Sequence, residues 1–472
     1  MHLKANEITL ARLLQRAGYA TCLIGKWHLS GGFDLAGQPT PGDHGFDYWF
    51  ATQNVAVPSH RDPENFYRNG KAVGKVAGYS AQIVAAEAAD WLANKRDKSK
   101  PFFLFLPLHE PHEKIATDPR FLKLFPSPND PSRAEFWGNI SQIDDGFGRL
   151  MKTLDDLKLA DDTRVFFTSD NGAGLTAQHP HGSTGGLRGK KSQMYEGGVR
   201  VPGLLRWPGR IRAGQTSDEP VSGIDVLPTF CALAKVAPPA DRPIDGASFL
   251  PVFEGKPMVR KTPLYWQFHR ADGRHKVAMR VGDWKLYATI TGPQLNSNGD
   301  ILQEDLDSLN LAQLDSFALY HLGKDREEMN DLAASEKERV AEMAVSMRNL
   351  FDEVRKESPR WPTWLRFPAK GDIARKASRT SPRDILADAK KSANVGRLNL
   401  NFTTTTDADL KELAEMKGVC MLDLSGTDVT DAGLETLANF KQLQSVDLRR
   451  TSVSESAVEK LRKKVPGLSI QR

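Results

Sequence analysis

The first part of this 472-residue chain predicts an α/β fold with a mainly parallel sheet sandwiched by helices. Three observations predict it. Short apolar runs, "TCLIG", "PFFLFLPL" and "RVFFTS", show no alternation, as strands covered on both faces should. Segments with helical spacing separate them. Each run also ends abruptly in polar or charged residues, as strands do where they open onto a ligand crevice.

Taken in order, "EITLARLLQRAGY" places Leu10, Leu13, Leu14 and Ala17 on one helical face and stops at Gly18. "TCLIG" follows as a strand. "SAQIVAAEAADWLANKRD" lines up Val84, Ala88, Trp91 and Leu92, and "PFFLFLPL" is again a buried strand. A longer amphipathic helix carries Ile140, Ile143, Phe147, Leu150, Met151 and Leu154, and "RVFFTSDNG" supplies another strand. Further on, "HKVAMRVGDWKLYATI" holds two β-like runs joined at Gly282 and Asp283, good turn residues. This predicts an antiparallel hairpin in a small C-terminal subdomain, closed by the charged helix "SEKERVAEMAVSMRNLFDEVRK".

The tail is a repeat. "LNL", "LDL" and "VDL" begin at Leu398, Leu422 and Val446, every 24 residues, with Leu410, Leu434 and Val458 halfway through each unit. That period suits leucine-rich repeats, in which a strand, a turn and a helix stack on their neighbours. The organisation predicted is an α/β domain over 1–260, a subdomain over 261–357, a linker rich in Pro, Lys, Arg and Ser over 358–394, and a short leucine-rich-repeat solenoid over 395–472. Such a solenoid offers a surface to a protein partner or merely stabilises the chain.

Composition narrows the function. A net charge of +5 spread along the chain argues against a nucleic-acid partner, which wants a concentrated basic face. No apolar run approaches the roughly 18 residues of a membrane span, and "MHLKANEITL" lacks the apolar region of a signal peptide. Cys22, Cys231 and Cys420 are far apart with no CxxC spacing, so neither a disulfide framework nor a zinc site is expected.

Three predicted strand ends carry chemistry: Lys26 and His28 after "TCLIG", His109 and His112 in "HEPH", and Asp170 and Asn171 in "DNG". Each has a bland reading as a solvated lysine, a loop histidine or a turn; their recurrence at successive strand ends argues for one pocket. A carboxylate beside an amide oxygen suits Ca²⁺ or Mg²⁺. Lysines and histidines suit a sulfate or phosphate group, and a histidine beside a leaving oxygen can act as general acid. The set is equipped to hydrolyse an anionic ester with metal help, and it lacks a nucleophile.

Over residues 7–355 the sequence resembles the sulfatase family of the alkaline-phosphatase-like superfamily. The resemblance is carried by "TLARLLQRAGYATCLIGKWHL", "HGFDYWF", "FTSDNG", "LRGKKSQMYEGGVRVP" with "RWPGRI", "IDVLPTF", "MRVGDWKLY" and "LYHLGKDREEMNDLA", in that order. It implies that Asp170 and Asn171 bind a metal, usually calcium, and that Lys26 and Lys191 bind the sulfate. His28 would assist the nucleophile's hydroxyl, and His112 would contact the sulfate or help the leaving group depart. Lys190 is the alternative to Lys191 if the motif shifts by one, His109 lies nearby, and Asn54 is a candidate for a further polar side chain after "GFDYWF". The implied substrate is a sulfated small molecule or sulfated carbohydrate, and the implied full-length protein is exported.

One family element is not found. A C/S-x-P-S-R segment, whose Cys or Ser is oxidised to the formylglycine nucleophile, and a strand ending in paired aspartates belong upstream of "GKWH", which here begins at Gly25. "NDPSR" has Asn129 in the nucleophile position and follows "HEPH"; Pro131 and Ser132 suit a helix entry instead. The expectation is a metal-dependent sulfuric ester hydrolase truncated at its N-terminus and inactive as written, with open strand edges where the missing strand would pair. The alternatives are an inactive pseudosulfatase acting as a binding protein, and a phosphate or phosphonate ester hydrolase of the same superfamily.

Overall fold

The computed structural model describes residues 2–292, 295, 309, 311–358, 382–383, 386 and 396–471, apart from 36–37, 176–179, 401–402, 415–417, 441 and 450. The chain divides into two compact units, Met1–Trp361 and Pro362–Arg472.

The first unit opens with α1 (Leu10–Arg16), capped by the Thr9 hydroxyl, which accepts from the Arg12 amide. There follow β1 (Ala20–Lys26), β2 (Tyr48–Thr52), β3 (Phe66–Arg68), β4 (Lys71–Gly74), α2 (Ser80–Asp90) and β5 (Phe102–Phe105). These strands form one sheet in the order β4-β3-β2-β1-β5. β1 runs parallel to β2 on one side and to β5 on the other, whereas β3 and β4 are antiparallel. Cys22, Leu23 and Ile24 of β1 are fully buried because both faces of the strand are covered. On one side lie Val84, Ala88, Trp91 and Leu92, from α2 and the turn that extends it, with Leu150 and Leu154 from further along the chain. On the other lie Ala11, Trp27, Phe46 and Trp49. Each of the larger side chains among them contributes about 2 kcal/mol of burial.

Next come α3 (Pro119–Leu122), α4 (Pro131–Asp156), β6 (Val165–Thr168), α5 (Glu196–Val199), β7 (Gly203–Arg206), α6 (Val226–Ala234) and α7 (Leu250–Phe253). The helix entry at "NDPSR" is as the sequence suggests: Pro131 opens α4 and the Asp130 carboxylate accepts from the Arg133 amide.

The expected mainly parallel sheet needs correction. Among the described residues of the first unit, only β2, β1 and β5 are parallel neighbours. The "RVFF" strand does not join them; β6 pairs antiparallel with β7 in a sheet of two. β3 and β4 are joined by Asn69 and Gly70, both left-handed (φ 46° and 84°), the signature of a tight hairpin. Among the described residues β5 has no neighbour beyond β1, and β6 none beyond β7. Side chains on the open strands show it: Phe105 of β5 is 48% exposed and Leu204 of β7, which likewise has no neighbour beyond β6 among the described residues, 61%.

The first unit ends in an antiparallel sheet, ordered β11-β10-β9-β8, of β8 (Leu264–Gln267), β9 (Val277–Val281), β10 (Trp284–Ile290) and β11 (Leu314–His321). Gly282 and Asp283 turn β9 into β10. Helix α8 (Lys337–Glu357) buries Met343, Ala344, Met347 and Phe351 in the core it shares with this sheet.

The second unit alternates β12 (Gly396–Asn399), α9 (Asp407–Leu413), β13 (Val419–Asp423), α10 (Asp431–Leu437), β14 (Ser445–Asp447), α11 (Glu455–Lys464) and β15 (Ser469–Gln471). Its strands are parallel and adjacent in sequence order, with Leu398, Leu422, Val446 and Ile470 in register. Leu410, Leu434 and Val458 fill the core. So does Leu386, one period before Leu410 and inside the stretch read as linker. The Asp407 carboxylate accepts from the Thr430 amide (2.8 Å) and hydroxyl (2.6 Å), and Asp431 holds Ser454 in the same way. No helix among the described residues is long and apolar enough to cross a membrane.

Candidate active site

Lys26 ends β1, and the backbone around it is fixed from both sides. Gly25 has φ +127°, and a Cβ there would lie 2.0 Å from the Pro107 carbonyl oxygen. Only glycine permits this approach, which lets the Lys26 amide donate to Pro107 (2.8 Å). On the β2 side, Trp27 donates to the Thr52 carbonyl (3.0 Å) and His28 to that of Gln53 (2.6 Å). His28 sits in the left-handed region, φ 52°, with its side chain exposed.

The "HEPH" turn follows β5. His109 is buried, its Nε2 2.7 Å from the Thr52 hydroxyl, and burial pushes its pKa down to about 4. It is therefore a neutral structural partner at ordinary pH. Glu110 anchors the turn: its Oε1 accepts from the Ser80 hydroxyl (2.5 Å), the Ala81 amide (2.8 Å) and Gln142 (3.1 Å). The His112 amide donates to the His109 carbonyl (3.0 Å), and the exposed His112 ring sets Nδ1 2.8 Å from the Glu113 carbonyl.

Across from these, Asp170 and Asn171 follow β6. Two backbone bonds tie their loop to the segment bearing Lys191: Gly172 donates to Gly198 (2.9 Å) and Lys191 to Ala173 (3.0 Å). A Cβ on Gly172 would lie 1.9 Å from the Gly197 carbonyl oxygen, so the segments touch backbone to backbone.

Electrostatics relates some of these side chains. Lys26 is held below its ordinary value first by burial, with Asp170 pulling upward and the Lys191 charge pushing down. His28 is lowered by desolvation, then by Lys26, His112 and Lys191, against Asp170. His112, Asp170 and Lys191 thus lie near enough to bear on Lys26 or His28. The ammonium of Lys190 donates to the Leu175 carbonyl (3.3 Å). Asn54 leaves its side-chain oxygen buried without a hydrogen bond.

Asp170 makes no hydrogen bond among the described residues, and Asn171 donates to the Gly172 carbonyl (3.1 Å). A carboxylate beside an amide oxygen fits a hard cation, but two donors fall short of the six to eight that calcium takes. No group of three or more His, Cys, Asp and Glu side chains forms a metal site among the described residues. The cysteines in this unit offer no nucleophile: Cys22 and Cys231 are buried, and burial raises both thiols. The residues that pure sequence reasoning missed are Thr52, Ser80, Glu110 and Gln142, supports drawn from four separate segments.

Lysine and histidine side chains gathered after β1 and β5, with Lys191 tied to the loop after β6, suit the handling of anions. The comparisons make that reading specific. The family model "Sulfatase" matches residues 2–236, and "N-sulphoglucosamine sulphohydrolase, C-terminal" matches 188–291. Human N-acetylgalactosamine-6-sulfatase is 35% identical over 295 residues, covering 57% of this chain and 54% of that protein. Rat steryl-sulfatase is 30% identical over 330 residues, covering 54% and 56%. Among solved structures, Ps i-CgsB in complex with k-i-k-neocarrahexaose superposes with TM-score 0.63 at 24% identity, covering 76% of this chain and 77% of that one. PsFucS1 sulfatase from Pseudoalteromonas sp. gives 0.60 at 22%, covering 75% and 74%. At such identities these two likenesses concern the fold. The chain belongs to the sulfatase family. It spans about half the length of the curated relatives it matches first.

Proposed function

We propose that this chain carries the anion-binding and proton-handling part of a site that hydrolyses sulfate esters. The observation behind the reading is that Asp170 and Lys191 bear on Lys26, and that Lys26, His112, Asp170 and Lys191 bear on His28. Lys26 and Lys191 hold the sulfate oxygens from opposite sides and stabilise charge building on them. His28, its pKa lowered by burial first and then by its cationic neighbours, is suited to accept a proton from the attacking hydroxyl. His112, exposed across the pocket, is placed to contact the sulfate or protonate the leaving oxygen. Asp170 and Asn171 are the chain's donors to Ca²⁺ or Mg²⁺, which when bound would polarise the sulfate; further donors are required for tight binding.

The formylglycine nucleophile has no precursor among this chain's residues. Cys22, Cys231 and Cys420 stand outside any C-x-P-S-R context, and Asn129 cannot yield the aldehyde. The names of relatives, N-acetylgalactosamine-6-sulfatase above all, support a sulfated sugar as substrate. Within this reading residues 1–260 form the catalytic domain, 261–357 its C-terminal subdomain and 395–472 a leucine-rich-repeat-like domain offering a surface to a protein partner. The 24-residue register of its strands supports that last assignment. Export of the full-length protein belongs to the same reading.

Titration of the chain with inorganic sulfate, followed by calorimetry, tests the proposal. Binding is expected, weakened about tenfold or more by Lys26→Ala or Lys191→Ala, the loss of one charge-assisted contact. No turnover of an aryl sulfate or an aryl phosphate is expected. Absence of sulfate binding would sink the site, and aryl sulfate turnover would sink the assignment of the nucleophile.

A further inference from the structure

Beneath the Lys191 segment lies a buried charged cluster that the proposed reaction does not use. Lys285, on β10, is completely buried, as is Glu328, and Glu196 is 2% exposed. Lys285 Nζ donates to Glu196 Oε1 at 2.6 Å and lies 3.9 Å from Glu328 Oε1. Glu328 Oε2 accepts from the Glu196 amide (2.7 Å), and its Oε1 accepts from the Tyr287 hydroxyl. Arg200 and Arg280 stand 3.6 and 4.0 Å from Glu196 Oε2. Replacing a buried ion pair by apolar side chains is often neutral or stabilising, so stability alone is a weak reason for this one.

Position is a better one. Glu196 begins α5, whose next two residues hold both loops of the pocket. The Gly197 amide donates to the Arg188 carbonyl (2.7 Å), and the Gly198 carbonyl accepts from Gly172, beside Asn171. Arg188 closes the circuit, donating to the Glu328 carbonyl (2.6 Å) with its guanidinium over the Tyr195 ring (4.1 Å). Lys191 lies between Arg188 and Glu196, so both ends of its segment are pinned to the same cluster.

We propose that Lys285 is a positioning residue: through Glu196 it fixes Lys191 and the Asp170–Asn171 pair relative to the sheet that carries Lys26. The C-terminal subdomain thereby sets the geometry of a pocket to which it contributes no ligand. The functional consequence rests on the reading of Lys191 as a sulfate ligand; the positioning does not.

The test compares amine labelling of Lys191 and Lys71 in the full chain with an acylating reagent, read by mass spectrometry. Lys71, exposed on β4, is the internal control, because it makes no hydrogen bond or ion pair with the cluster. Lys285→Met is expected to change the Lys191-to-Lys71 ratio by about threefold or more and to weaken inorganic sulfate binding by a similar factor. Tyr287→Phe, which removes one hydroxyl from the cluster, should move both in the same direction by less, and it carries the test if Lys285→Met does not fold. A ratio unchanged in both variants, or both lysines changing together, would overturn the proposal. If the unaltered chain binds no sulfate, the reading of the site fails while the labelling ratio still decides the positioning.

Discussion

The charge of Lys191 bears on Lys26, yet the chain holds the two lysines by opposite means. Lys26 extends from a strand with parallel neighbours on both sides and a fully buried interior, so sheet pairing and apolar packing place it. Lys191 rides on an irregular segment fixed by glycine contacts and by an ion pair between Glu196 and Lys285, 89 residues apart. Apolar packing locates and stabilises together. A buried ion pair locates well but adds little net stability, because desolvation offsets most of its attraction. The sheet side should therefore govern folding, and the loop side should govern binding.

The largest expected effect breaks the sheet side. Gly25→Ala places a Cβ against the Pro107 carbonyl at a φ that L-residues avoid, so it should cost about 3 kcal/mol or more. Urea unfolding of the variant measures this, and a loss under 1 kcal/mol would mean β1 and the segment after β5 yield easily. Next is the pH dependence of stability. The folded pKa of His109, about 4, lies below the ordinary 6.5, so the unfolded chain binds the proton first. Stability on this account is full above pH 6.5 and is lost as pH falls toward 4, by about 3 kcal/mol. Denaturant midpoints at several pH values should slope accordingly, and His109→Gln should flatten the slope; an unchanged slope would acquit His109. The smallest effect sharpens the loop side: Lys190→Ala should alter sulfate affinity by less than about twofold, since its ammonium already serves Leu175. A loss equal to that of Lys191→Ala would mean both lysines reach the anion.

Legibility followed the same division. The "TCLIG" strand, the entry to α4 at Pro131 and the turn at Gly282–Asp283 could be read because each is encoded within a few adjacent residues. Asn69–Gly70 carried an equally local hairpin signal that alternation too short to notice concealed. What could not be read was long-range. "RVFF" looks like "TCLIG", and nothing within it announces an antiparallel partner in "GLLR" nearly forty residues on. Residue types alone leave Lys190 and Lys191 equivalent; motif alignment favours one, and the backbone bond to Ala173 orients it. Glu196, Lys285 and Glu328 are ordinary surface residue types in sequence, and only folding makes them a cluster.

The connector in the second unit has a consequence for growth. Asp407 grips Thr430 as Asp431 grips Ser454, so each unit carries at its helix start the clasp for the next. Length is then a free variable in this unit, as it is in stacked arrays whose units touch only their neighbours. Duplicating residues 407–430 would add a helix, a strand and a clasp without asking any existing residue to change partner. An insertion that is not a whole number of such 24-residue units would bring the wrong residue to the clasp.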